Sequence, residues 1–303
     1  MGVYNAYMAL SGAIDGEVRR DVPLARHTTY RIGGPAALMV TANTYHSLRR
    51  TLEVLAREGV DWVVLGRGSN VLAADEGYRG CVVRLGREFS RMSVEGSAIT
   101  AGAAVTMPNL VRETLSRSLT GLEFCVGIPG TVGGAIAMDA GTRHEWIGQV
   151  VRDVVTLRPG EGMRRYAASE VEWGYRYTSL PHDEIVLEAT LDLEPGDKAL
   201  IGQEMDARLA RRSRHQPLGK PSCGSVFKNP GDRSVAQLID QAGLKGYRVG
   251  GARVSDQHAN FIVNEGGATA QDVVAVMAHV HDVVAQEYGI DLRPEVKCLG
   301  LGQ

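Results

Sequence analysis

Gly127-Ile128-Pro129-Gly130-Thr131-Val132-Gly133-Gly134-Ala135 lies in the most glycine-dense stretch of the chain, and Gly66-Arg67-Gly68-Ser69-Asn70 stands about 60 residues before it. Glycine lets successive backbone N–H groups turn into one concavity, which suits phosphate oxygens. In the later stretch Gly130, Gly133 and Gly134 fall within five positions, and from Gly130 to Ala135 no side chain is larger than that of Val132. Another group can approach such a main chain closely. The plain alternative is a glycine-rich helix start packed on a sheet. In the earlier stretch Ser69 and Asn70 add side-chain donors, and the plain alternative is a tight turn. Neither stretch is G-x-G-x-x-G, and no G-x-x-x-x-G-K-[ST] occurs, which disfavours a Rossmann or P-loop reading. Two separate phosphate-sized turns suit a long diphosphate cofactor lying between subdomains.

Around these turns, helix and strand patterns alternate. Thr44 is placed to cap a helix over 45–58, with Leu48, Leu52 and Leu55 at helical spacing and Gly59 after it. Trp62–Leu65 reads as a strand running into the first glycine turn and Cys81–Leu85 as the next, so 36–85 forms a small α/β unit. A hairpin is expected over 92–104 and a helix over 108–119, opened by Pro108. Strands follow over 150–158 and 184–193, the second with Ile185, Leu187, Ala189, Leu191 and Leu193 on one face. An arginine-rich helix over 198–214 reads as a connector. Beyond it, Ser234 and Gln237 have capping-box spacing, and a helix over 270–288 puts Val273, Met277, Val280, Val284 and Tyr288 on one stripe before Gly289. The expected division is 1–87, 88–212 and 213–303, in an α/β (α+β) chain.

Lys and Arg number 33 and Asp and Glu 35, a balance without the basic excess of a nucleic-acid binder. At 44% hydrophobic and 22% charged, the chain can bury a core. The four cysteines, Cys81, Cys125, Cys223 and Cys298, are far apart and form no C-x-x-C, as suits a reducing cytosol. The N-terminal twenty residues lack a basic start and are broken by Asn5, Ser11, Asp15 and Glu17, so they read as a helix or partly ordered arm and not as a signal peptide. No run approaches a membrane span. A cytoplasmic protein without membrane or nucleic-acid partners is expected.

Three polar constellations stand out. Tyr175-Arg176-Tyr177-Thr178 sets an arginine among aromatics; its planar fork fits a carboxylate, and the alternative is cation–π packing. Ser222–Pro230 gathers Ser225, Lys228 and Asn229 in one turn, which as a plain loop would be unremarkable. Arg293-Pro294-Glu295-Val296-Lys297 could equally be a charged surface strand. Metal signals fail: the eight histidines are scattered, His279 and His281 face different ways on a helix, and there is no H-E-x-x-H. No G-x-S-x-G opens a hydrolase triad. Cys223 reads as a small semi-buried residue, with a reactive thiol as the alternative.

Taken in order, HTTYRIGGPA at 27–36, GRGSN at 66–70, GIPGTVGGA at 127–135, YRYT at 175–178, PSCGSVFKNP at 221–230, DQHANFIVN at 256–264 and PEVKCLG at 294–300 resemble the UDP-N-acetylenolpyruvoylglucosamine reductase family over nearly the whole chain. The resemblance implies a two-subdomain FAD-binding domain of the vanillyl-alcohol-oxidase type and a C-terminal α+β substrate domain. It implies noncovalent FAD, NADPH as hydride donor and a nucleotide-sugar substrate in peptidoglycan precursor synthesis, without an obligate protein partner, as a monomer. By resemblance the cofactor contacts are Tyr30, Gly66, Arg67, Gly68, Ser69, Asn70, Ile128, Pro129, Gly130, Thr131, Gly133, Gly134, Ala135 and Ile185. The functional residues map to Arg176, Ser225 and Glu295, and the substrate contacts to Tyr175, Lys228, Asn229, Gln257 and His258.

Three departures accompany the resemblance. Only eight residues separate Arg176 from Ile185, so the inserted tyrosine-bearing loop of some members has no room. Asp139 stands where Asn is common, and Cys223 where Ala is usual. Two other readings remain: an alcohol oxidase or dehydrogenase of the same flavin fold, and a non-catalytic nucleotide-sugar sensor.

Overall fold

The structure, a computed structural model, describes residues 2–302 of the chain. The chain folds as two compact units. The first comprises Met1–Arg20, Leu38–Gly66 and Gly80–Ala210, the second Asp21–Ala37, Arg67–Arg79 and Arg211–Gln303.

In the first unit, α1 (Gly2–Leu10) buries Ala6 and Leu10, so the N-terminal segment is an ordered helix. α2 (Tyr45–Arg57) starts where Thr44 Oγ1 accepts from Ser47 N at 3.1 Å, and it buries Leu48, Leu52 and Leu55. A four-stranded sheet has the order Gly16–Pro23, Pro35–Ala42, Tyr78–Leu85, Trp62–Val64, the last pair parallel. A five-stranded antiparallel sheet has the order Gly162–Ala167, Val151–Arg158, Ile185–Asp192, Ala98–Gly102, Met92–Glu95. The alternating face read from sequence is the core face: Ile185, Leu187, Ala189, Leu191 and Leu193 are all buried.

Against this sheet pack α3 (Met107–Ser116), capped by Thr106, and the short α4 (Val132–Ala137), capped by Thr131. The N-terminal amides of α4 are engaged locally: Val132 N donates to Val105 O and Gly133 N to Ala103 O, each at 2.9 Å. A Cβ on Gly133 would come within 2.8 Å of Ala103 Cβ, so close packing of this loop already demands that glycine. The polar α5 (Lys198–His215) follows, burying Ile201 and Met205.

In the second unit, α6 (Val235–Gln241) and α7 (Ala270–Tyr288) pack with a three-stranded antiparallel sheet, Arg248–Val249, Ala252–Val254 and Ile262–Asn264. Ser234 Oγ accepts from Gln237 N, and Asn229 Oδ1 adds an acceptor for Val235 N at 3.0 Å. α7 has a reciprocal cap between Thr269 and Asp272, and its Ala270 and Gln271 amides also donate to Asp75. It ends at Gly289, whose φ of 66° only glycine adopts without cost. Val71–Ala73, just after the first glycine turn, pairs in parallel with Lys297–Leu299. Tyr30, Ile32 and Leu72 belong to this unit's core, which is why two segments from the first eighty residues fold with the C-terminal part. Among the described residues no helix is long and apolar enough to cross a membrane.

Candidate active site

The first unit brings the two glycine stretches together at Gly66 and Thr131. A Cβ built on Gly66 would lie 2.6 Å from Thr131 Oγ1, the atom that caps α4 by accepting from Gly134 N. Gly130, at φ 113°, turns the chain into that cap, and its carbonyl accepts from Met107 N at 3.1 Å. Ile128 is half-buried, its amide on Cys125 O; Pro129 and Gly134 are exposed, and Ala135 is core. Ile185 is also core, at 3% exposure, so it offers an entering group almost no surface.

Arg176 sits in a two-residue hairpin turn, because Gly174 pairs with Tyr177 on either side of Tyr175 and Arg176. Its φ of 58° is left-handed, a strained position for a long side chain. The guanidinium lies 5.2 Å from the Tyr175 ring centroid, and Nη1 donates to Gly141 O at 3.3 Å. The cation–π packing considered from sequence is therefore present, and Tyr175 itself is exposed. Asp139, one turn from Gly141, is buried and accepts from Gly148 N at 3.0 Å. Burial pushes its carboxyl up to about 6, with the Gly148 amide and the Arg176 guanidinium pulling the other way.

In the second unit, Gly68 has φ 61°, and a Cβ there would meet His27 O at 2.3 Å. The Gly68 carbonyl accepts from Thr29 N, and Thr29 Oγ1 reaches Ser222 O at 2.7 Å. Arg67 is exposed and Ser69 half-buried. Asn70 is structural in both directions: Nδ2 donates to Glu295 O at 3.1 Å, and its carbonyl accepts from Lys297 N.

The chain next to Ser225 is tied to Glu295 through one carbonyl. Val226 O accepts from Glu295 N at 2.7 Å, while Ser225 pairs with Phe261 and Phe227 with Pro294. Ser225 is half-buried, and among the described residues no hydrogen bond ties up its Oγ. Glu295 is buried. Lys228 N is held by Arg293 O, which fixes where that lysine leaves the chain.

The remaining substrate candidates scatter. Asn229 caps α6, Gln257 Nε2 donates to Ser213 O at 2.8 Å, and His258 Nδ1 accepts from Asn260 N. Burial lowers the His258 pKa, so the ring is held neutral.

Tyr30 is placed differently from the sequence expectation. Its side chain is fully buried, its hydroxyl donates to Ile262 O at 2.9 Å, and a second hydrogen bond links it to Cys223. That enclosure makes it a core residue of the second unit. Burial pushes the Cys223 thiol up to about 12, as suits a packed side chain.

The residue most clearly missed is Asn260. Its side chain accepts from Phe227 N at 3.0 Å and donates to Phe227 O at 2.8 Å, clamping the Ser225 segment like an extra strand. The only sequence signal was its place inside DQHANFIVN. Among the described residues no group of three His, Cys, Asp or Glu side chains could hold a metal.

Known proteins resemble this chain over most of its length. A model described as an FAD binding domain matches residues 36–158. One described as the C-terminal domain of UDP-N-acetylenolpyruvoylglucosamine reductase matches 216–299. A reductase of that name from Symbiobacterium thermophilum is 44% identical over 94% of this chain and 93% of its own. One from Geobacter metallireducens is 42% identical over 97% and 98%. The crystal structure of the Thermus caldophilus UDP-N-acetylenolpyruvylglucosamine reductase superposes with a TM-score of 0.84 at 37% identity, covering 94% of this chain and 99% of that one.

Proposed function

The chain belongs to the UDP-N-acetylenolpyruvoylglucosamine reductase family, and from that premise we propose how its own residues reduce UDP-N-acetylglucosamine enolpyruvate to UDP-N-acetylmuramate with NADPH. The glycine turns fit FAD: without a Cβ at Gly66 the first turn closes onto Thr131 at the capped start of α4, which brings main chain from both glycine stretches to one place. Bound there, FAD supplies the chemistry of passing a hydride from NADPH to the terminal carbon of the enolpyruvyl group.

Reduction leaves negative charge on the neighbouring carbon and in the attached carboxylate. The Arg176 guanidinium, pinned by Gly141 O, offers a fixed cation for that carboxylate, where charge grows in the transition state. Glu295 adds a hydrogen bond. Ser225 Oγ donates a proton to the carbon, and solvent restores it. A serine hydroxyl is too weak an acid for most partners, but a carbanion is basic enough to take its proton. By resemblance Tyr175, Lys228, Asn229, Gln257 and His258 are the candidates for the nucleotide sugar, of which Asn229 and Gln257 also serve Val235 N and Ser213 O. The reaction belongs in the cytoplasm, carried out by a single chain with only small-molecule partners.

The observation that carries this reading is the hydrogen bond from Glu295 N to the carbonyl of Val226, which brings Glu295 beside the residue that follows Ser225, about seventy positions away in sequence. The test is the visible spectrum of the purified holoenzyme. Oxidised-flavin absorbance should bleach with NADPH and return on adding the enolpyruvyl nucleotide. A colourless folded protein that takes up no FAD refutes the proposal. Rapid oxygen consumption with an alcohol and no NADPH would replace it with an oxidase.

A further inference from the structure

Asp139 breaks three local rules at once. It follows α4 as the left-handed residue of a Schellman turn, with φ 41°, Asp139 N on Ile136 O and Ala140 N on Ala135 O. That position favours Gly or Asn. It is a carboxylate 3% exposed, and it stands at a helix C-terminus, where negative charge is unfavourable. Residues that violate local preference without a structural gain are commonly retained for function.

The compensation lies in the hairpin that carries Arg176. Asp139 Oδ1 accepts from Gly148 N, and Trp173 packs so closely on Gly148 that a Cβ there would fall 2.5 Å from the indole. Trp173 is the first residue of that hairpin, and Arg176, at its tip, returns to donate to Gly141 O. Residues 139–141, 147–149 and 173–178 thus form one packed block. Among the described residues five other than glycine have positive φ; two of them, Asp139 and Arg176, lie in this block, and the Arg176 charge acts on the Asp139 carboxyl.

We propose that Asp139 is a positioning residue for Arg176: its ionised carboxylate holds the guanidinium against the 139–141 turn, so that the cation meets the substrate carboxylate in one orientation. This rests on the role given to Arg176 under Proposed function.

The charges around Asp139 are few. α4 and the 147–149 turn carry none, and the hairpin contributes Arg176 beside Tyr175 and Tyr177. On the neighbouring strand, Glu188 pairs with Arg165 at 3.8 Å and Asp192 with Arg152. The 142–146 loop adds Arg143, His144 and Glu145, the last paired with Arg208 at 2.6 Å.

The test compares the holoenzyme with Asp139→Asn. Asn keeps the shape, can still accept from Gly148 N and suits the left-handed turn, so the fold is retained while the charge is lost. Flavin reduction by NADPH serves as the control half-reaction. Reoxidation by the enolpyruvyl nucleotide should slow about tenfold at pH 8, inside the ~10²-fold that a 1 Å misplacement costs. In the parent enzyme the reoxidation rate should fall on acidification with an inflection near pH 6, where Asp139 takes up its proton. In Asp139→Asn that inflection should vanish. A variant that reoxidises at the parent rate overturns the proposal, as does a parent profile flat through pH 6. A parent enzyme that bleaches with NADPH but is never reoxidised by the nucleotide overturns the functional reading itself, which keeps the two failures apart.

Discussion

Gly66 lies against Thr131 so closely that one added carbon would sit 2.6 Å from the hydroxyl that caps α4. Two turns recognised separately in the sequence are therefore one feature. Gly66→Ala must displace either the cap or the first turn. Loss of an N-cap costs about 1 kcal/mol, so the chain should still fold. FAD affinity should drop at least about tenfold, equivalent to 1.4 kcal/mol. Flavin absorbance per chain after gel filtration measures this, and a full complement of FAD would show that the cradle is elsewhere.

Ser225 is bridged to Phe261, and the next residue, Val226, is bonded through its carbonyl by Glu295 N, so main chain fixes the backbone that carries the hydroxyl. Ser225→Ala should leave those contacts unchanged. Flavin reduction by NADPH should stay near the parent rate, while reoxidation slows by ~10²–10⁴, the usual worth of general acid catalysis. Stopped-flow traces of the two half-reactions decide it: equal losses in both would remove Ser225 as the proton donor.

Arg176 occupies left-handed backbone at the tip of its hairpin. Arg176→Gly relieves that strain but adds chain entropy to the unfolded state, two effects of about 1 kcal/mol that oppose each other. Thermal stability should stay within about 1 kcal/mol of the parent, while the rate of reoxidation by substrate collapses. Arg176→Lys, which keeps charge without the planar fork, should raise KM for the enolpyruvyl nucleotide. A steady-state KM and kcat for each variant separates orientation from charge.

Much of this was legible because local chemistry and tertiary structure agree. Thr44, Pro108, Ser234 and Gly289 mark helix ends in the sequence and do so in the fold. The strand face from Ile185 to Leu193 alternates because one side is buried. The pairing of Val71–Ala73 with Lys297–Leu299 was not legible, since a three-residue strand carries no period and its partner is more than two hundred residues away. Asn260 was missed because its value lies in main-chain bonds to Phe227, which no spacing encodes. Tyr30 misled because a motif tyrosine beside a glycine pair looks like a ligand contact, whereas its hydroxyl serves a buried strand carbonyl. In the glycine stretch at 130–134 two glycines have structural reasons: Gly133 is required by Ala103, and Gly130 by its positive φ.

Asp139 also sets a pH dependence of stability. Its carboxyl moves from 3.8 to about 6 on folding, so between those values the folded chain holds a proton that the unfolded chain has released. Stability from this group is fully present below pH 3.8, falls as pH rises, and is gone above about 6. The cost of the ionised form is about 1–2 kcal/mol after allowance for screening. Asp139→Asn removes it, and Asn also suits the left-handed turn better. The variant should therefore match the parent near pH 4 and exceed it by about 1–2 kcal/mol at pH 8. Urea unfolding of both proteins across that range gives the difference directly, with effects common to both cancelling. A variant less stable than the parent at pH 8 would mean that the attraction to Arg176 outweighs burial, and the direction assigned to the carboxyl would be reversed.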